Sequence, residues 1–98
     1  VTVAVSFATA AERDLAEIST YTEAEWGASQ AKVYLLAIAD AIDRIAAFPG
    51  IGSPINDVRS GYRKFRVESH NLYYRHRGTG IEIVRILHQR ADHSPKLQ

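Results

Sequence analysis

Arg85, His88 and Arg90 follow one another closely at the end of an apolar run, with Arg63, Tyr73, Tyr74 and Arg75 a little upstream. Cutting RNA without a metal takes a base for the 2′-OH proton, an acid for the leaving oxygen and cations for the charge that builds on phosphorus. Histidine titrates in the range that either proton role needs, so His88 with Arg63 and Arg90 is the catalytic candidate for such a reaction. No glutamate has an obvious place beside His88, and a hydrogen-bonded structural histidine is the simpler reading of it.

The arginines admit a second chemistry. Arg63 and Arg75 sit inside apolar-alternating segments beside Phe65 and Tyr74, where a planar guanidinium can grip a carboxylate or phosphate with two parallel hydrogen bonds. A single strand arginine usually pairs with a nearby acid, but the cluster as a whole marks a binding surface. Tyr62, Phe65, Tyr73 and Tyr74 could stack bases, although strand aromatics more often fill a core or pair across strands. A metal is not expected: there is no cysteine, His70 and His76 are too far apart along a strand to share one ion, and His88 and His93 straddle a strand end. No cofactor is implied.

These residues need a scaffold, and the hydrophobic pattern supplies one. Val3, Val5 and Phe7 alternate with polar or small residues as a short strand. Thr9 and Glu12 have the spacing of a capping box for a helix carrying Ala11, Leu15, Ile18, Tyr21, Thr22 and Trp26 on one stripe, with Trp26 as a packing anchor and Gly27 as its end. A second helix follows at once, with Ala31, Tyr34, Leu35, Ile38, Ala41, Ile42, Ile45 and Phe48 on one face, stopped by Pro49-Gly50. So short a connection predicts an antiparallel hairpin of helices. A loop over 49–61 leads to strands at about 62–67, 70–77 and 81–88, the last two joined by the tight turn at Gly78-Thr79-Gly80. The fold class is therefore α+β in a single domain over 1–98: an N-terminal strand, an antiparallel two-helix hairpin, then a three-stranded antiparallel sheet. The polar tail from Asp92 to Gln98 is expected to be loose.

The last strand is apolar on both sides. Simple alternation puts Ile81, Ile83 and Leu87 on one face with Arg85, and Val84 and Ile86 on the other with Glu82 and His88. The helices can cover only one face, so the other is expected to need a partner chain.

Charge is divided along the chain. Residues 59–98 hold nine Lys and Arg against three acids, +6, while residues 1–58 hold three against eight, −5. A net charge of +1 thus conceals a strong asymmetry that suits an anionic partner. There is no run of membrane-spanning length and no basic-then-apolar start, so a soluble, cytoplasmic protein is expected.

Read in order, Tyr21…Trp26-Gly27, Gln30-Ala31…Tyr34, Pro49-Gly50-Ile51-Gly52, Arg59-Ser60-Gly61-Tyr62-Arg63, Ser69-His70…Tyr74-Arg75 and Ile83-Val84-Arg85-Ile86-Leu87-His88-Gln89-Arg90-Ala91-Asp92 resemble the ParE toxins of type II toxin–antitoxin modules, in the RelE/ParE superfamily. The resemblance covers nearly the whole chain. It implies a bacterial toxin that blocks DNA gyrase and is neutralised by a ParD-type antitoxin with an acidic amphipathic tail, operator DNA being bound only through the antitoxin. The basic half and the two-faced strand give Arg63, Phe65, Tyr74, Arg75, Arg85 and Leu87 as the antitoxin-binding set, and Arg85, His88 and Arg90 as the target-binding set. The superfamily also contains ribosome-dependent mRNA endonucleases of the RelE and YoeB type. That alternative would use His88, Arg63 and Arg90, but the chain lacks their tyrosine-bearing C-terminal end and has few lysines.

Overall fold

The computed structural model describes residues 2–97. Helix α1 spans Thr9–Trp26 and helix α2 spans Ala28–Ala47, with Gly27 alone between them. Gly27 has φ 89°, a region glycine enters without a Cβ penalty. Its N–H donates to the Glu23 carbonyl and its own carbonyl accepts from Ala31 N–H, so one residue closes the first helix and opens the second. Val3 N–H donates to the Ala46 carbonyl, which holds the end of α2 beside the chain entering α1 and makes the hairpin antiparallel. The expected capping box is absent. Ala8, not Thr9, is the N-cap, and no side chain caps it. Ala8 N–H donates to the Ile83 carbonyl, so sheet pairing extends one residue further than the sequence suggests and pushes Thr9 inside the helix.

The strands β1 (Val5–Phe7), β2 (Ser53–Pro54), β3 (Tyr62–Val67), β4 (His70–Arg77) and β5 (Gly80–His88) form one sheet in the order β1-β5-β4-β3-β2. The three predicted antiparallel strands are its centre. β1 adds parallel to β5 on one edge, and β2, within the supposed loop, adds antiparallel to β3 on the other. Pro54 is tolerated there because an edge strand has a side that needs no N–H.

One irregularity reorganises the last strand. Tyr74 lies opposite Ile83 and Tyr73 opposite Arg85, leaving Val84 as the extra residue of a β-bulge. A bulge inverts the parity of everything beyond it. Ile81, Ile83 and Ile86 therefore face the helices, in a core with Ala11, Ile18, Ile38, Ala41, Ile45, Leu72 and Tyr74. Val84 and Leu87 face the opposite side with Ile55, Tyr62, Tyr73 and Leu97. Simple alternation had exchanged Ile86 and Leu87.

That second cluster corrects two further expectations. The tail is not loose up to Leu97: His93–Lys96 form a short helix, α3, whose N-cap Asp92 accepts from Ser94 N–H. Leu97 is buried, its carbonyl takes a hydrogen bond from Arg59 at 2.8 Å, and the Tyr73 hydroxyl meets His93 Nδ1 at 2.9 Å. The apolar part of the second face is covered by the chain's own tail and by the 55–62 segment, with no partner required. Conversely, Trp26 and Phe48, expected to pack inside, are 61% and 70% exposed. Trp26 is the last residue of α1 and packs edge to face with Tyr21, with ring centroids 6.2 Å apart. Phe48 falls one residue past the end of α2, where the helical stripe no longer applies. Among the described residues no helix is long and apolar enough to cross a membrane.

Candidate functional site

A cleft of about 450 Å³ opens between α1 and the far ends of β4 and β5, a size at which small ligands or a partner's side chains can be enclosed. Tyr21 and Trp26 of α1 and Tyr34 of α2 line it, as do Ser69 and His70 at the start of β4, and His88 and Lys96. The hairpin stripe places Tyr34 over the β3–β4 turn. Its hydroxyl accepts from Ser69 N–H at 3.1 Å and lies 2.5 Å from His70 Nδ1. With one lone pair filled by the amide, the hydroxyl proton is free to go to the neutral His70 imidazole.

His70 and His88 face each other across the β4–β5 ladder with ring centroids 5.3 Å apart, edge to face. His88 Nδ1 accepts from Arg90 N–H at 3.1 Å, leaving Nε2 as its outward nitrogen. Burial, reinforced by the neighbouring His88 and opposed by Asp14, holds His70 below the usual histidine range. The pair thus offers a neutral, half-buried imidazole beside an exposed one, walled by aromatics. The sequence reading missed Tyr34 and His70. Counting back from the Arg77–Gly80 turn pairs residue 70 with 87, and only the bulge moves it opposite 88.

The sequence-predicted residues do not form one surface. Arg85 lines the cleft but is bound to Asp14 through Nε at 2.8 Å and Nη2 at 2.9 Å, which raises its pKa. His88 and Arg90 are exposed, at the cleft and just beyond it. Arg63 points to the helix-side face elsewhere. It donates to the Gly52 carbonyl at 2.6 Å and to that of Gly50 at 3.3 Å, four residues back along β3 from Val67, the partner of His70, so ~13 Å away along the strand alone.

Tyr74 is fully buried. Its hydroxyl donates to the Pro49 carbonyl at 2.7 Å and accepts from Gly52 N–H at 2.8 Å, and burial raises its pKa against the opposing effects of Gly52 and Arg63. Phe65 packs against the main core. Leu87 lies under the tail in the second cluster. Arg75 is on the opposite face from Arg63, bound to Glu82 at 3.0 Å, with Arg77 on the other carboxylate oxygen at 2.8 Å. Tyr74 and Leu87 therefore have no free surface for a partner, and Arg63 serves to hold the 50–52 segment. Among the described residues no group of three or more His, Asp or Glu is placed to hold a metal ion.

Comparison with known proteins places this arrangement. A family model described as "ParE toxin of type II toxin-antitoxin system, parDE" matches residues 5–93. Toxin ParE1 of Mycobacterium tuberculosis (strain CDC 1551 / Oshkosh) is 49% identical over 84 residues, covering 85% of this chain and 86% of the relative. Toxin ParE1 of Caulobacter vibrioides is 43% identical over 79 residues, 81% of each. A solved structure described as the chromosomal ParDE TA system from P. aeruginosa superposes with a TM-score of 0.77 at 19% identity, covering 89% of this chain and 96% of that one; at that identity it bears on the fold alone.

Proposed function

The chain belongs to the ParE toxin family of type II toxin–antitoxin systems, and from that premise we propose that it is a cytoplasmic protein inhibitor of DNA gyrase held inactive by a ParD-type antitoxin. Support for an inhibitor over a ribonuclease comes from one observation: the side chains that metal-free RNA cleavage would combine do not converge. His88 and Arg90 stand by the cleft, while Arg63 is bound to the Gly50 and Gly52 carbonyls on another part of the sheet. Among the described residues no carboxylate is hydrogen-bonded to His88 to complete a proton relay: Asp14 is committed to Arg85 and to Ile86 N–H, and Glu17, which also lines the cleft, makes no such bond.

The antitoxin's place follows from exposed apolar surface, not from the arginines. Tyr21 and Trp26, each 61% exposed, rim the cleft, and Val33 and Leu36 are exposed on α2. Large apolar side chains left in water commonly mark a protein-binding surface, and an amphipathic helical segment of the antitoxin would bury them. His88 and Arg90 stand near the same rim and are the residues retained for contact with the target.

The test pairs two assays. With purified gyrase and supercoiled plasmid, the protein is expected to arrest the enzyme and accumulate cleaved DNA. In a translation reaction it is expected to leave mRNA intact. Cut mRNA that disappears with His88→Ala, and gyrase that turns over unhindered, would establish the ribonuclease instead.

A further inference from the structure

The sheet face turned away from the helices has a second half that the tail does not cover. By alternation Lys64 and Arg66 of β3 and Arg75 and Arg77 of β4 all lie on it, beside Tyr62, Tyr73 and Glu82. Four cations thus share the strands of one face with one acid. Glu82 is itself bridged by both Arg75 and Arg77, so one negative charge is divided between two positive ones. Arg66 donates from Nε to the Glu68 carbonyl at 2.6 Å and from Nη2 to the Gln89 side chain, neutral acceptors that leave its charge uncancelled. The segments crossing the middle of the face add Arg59 and Lys96 against Asp57 and Asp92, which leaves the excess in place.

Two further features narrow the partner. The apolar part of this face is closed by Leu97, Ile55 and Val58, so what remains open is charged and lacks the apolar centre that a protein interface is built around. Tyr62 and Tyr73 are buried under the tail and loop, so no aromatic platform is available for stacking unpaired bases. A flat array of guanidinium and ammonium groups without stacking surface or apolar core suits the sugar–phosphate backbone of a duplex, which is bound through phosphates and without reading the bases.

We infer that this open sheet face binds duplex DNA directly, without sequence preference, through Lys64, Arg66, Arg75 and Arg77. The contact is separate from the antitoxin's surface on the helical side, and it does not depend on the gyrase reading: it is a property of the isolated toxin chain.

The experiment is fluorescence anisotropy of a short labelled duplex titrated with the full chain over a range of salt. The expected result is binding at low salt that weakens with a log–log slope of about −3 to −4, as for about four neutralised phosphates. Replacing Lys64, Arg66 and Arg77 together by Gln keeps the Arg75–Glu82 pair and is expected to reduce the steepness of that slope by about 2 to 3, with the circular dichroism spectrum unchanged. Arg44→Gln, on the outer side of α2, is expected to leave it alone. Absence of duplex binding at low salt, or a slope unaffected by the triple variant, overturns the proposal. Equal or tighter binding of single-stranded RNA of the same length, or of poly-glutamate, overturns it in favour of a single-strand or an acidic-protein surface.

Discussion

Asp14 on α1 and Arg85 on β5, 71 residues apart in sequence, form a two-pronged ion pair at 2.8 and 2.9 Å, and Asp14 Oδ2 also accepts the Ile86 N–H at 2.9 Å. One carboxylate thereby fixes the first helix to the strand just beyond the bulge, at the floor of the cleft.

Removing that carboxylate leaves a largely buried guanidinium and a buried amide without partners. Asp14→Ala is expected to lower stability by about 3 kcal/mol or more, read as a shift in the urea midpoint with unchanged slope. Arg85→Lys keeps a charge but loses the fork geometry and is expected to cost less than Asp14→Ala. If both variants melt like the parent, the pair contributes nothing to holding α1 in place.

The 49–52 segment is held by Tyr74 from below and Arg63 from the side. A Cβ at residue 52 would lie 2.7 Å from the Tyr74 hydroxyl and 2.9 Å from the Lys64 carbonyl, so Gly52→Ala must displace the segment. We expect about 1–3 kcal/mol of destabilisation from the overpacking. Tyr74→Phe removes the partner of the buried Gly52 N–H and is expected to cost about 1–3 kcal/mol. Thermal melts of the two variants check both figures.

Truncating Leu97 tests the tail as a structural cover. Leu97→Ala is expected to cost about 2 kcal/mol and to increase binding of a hydrophobic dye as Tyr73, Val84 and Leu87 become accessible. An unchanged melt with unchanged dye binding would show that α3 does not protect this face.

Stability is expected to fall with acidification in two stages. Burial and the neighbouring His88 hold His70 below the usual histidine value in the folded chain, so the unfolded chain binds the proton first. Its contribution is fully present above about pH 6.5 and is lost as pH falls through the lower folded value. For Glu82, burial works to raise the carboxyl pKa, but the hydrogen bonds and charges of Arg75 and Arg77 outweigh it and hold the group below the usual glutamate value. That contribution is present above about pH 4.5 and disappears at lower pH, again because the unfolded state takes up the proton first. Melting temperature followed against pH should show both stages, with His70→Gln flattening the upper one and Glu82→Gln the lower one.

Much of this molecule was legible along the chain. Period-2 and period-3.6 patterns located the two helices and three central strands, because amphipathic elements must bury one side whatever they pack against. The ordered motifs from Tyr21 to Asp92 were enough to indicate the family.

What the sequence left open depends on pairing between distant residues. The extra residue at Val84 exchanges Ile86 with Leu87 and brings His88 opposite His70, and no local pattern marks it, since Ile81 to Leu87 is apolar on either parity. The tail looked loose because its polar composition hides an apolar anchor, Leu97, whose burial requires a face assembled from β4, β5 and the 55–62 segment. Likewise Arg63 and Arg75, two similar strand arginines in sequence, lie on opposite faces, where one meets backbone carbonyls and the other Glu82. Which face each side chain presents to a partner was decided only when the sheet, its bulge and its tail came together, because a hydrogen bond orients a guanidinium only once the fold has brought the acceptor to it.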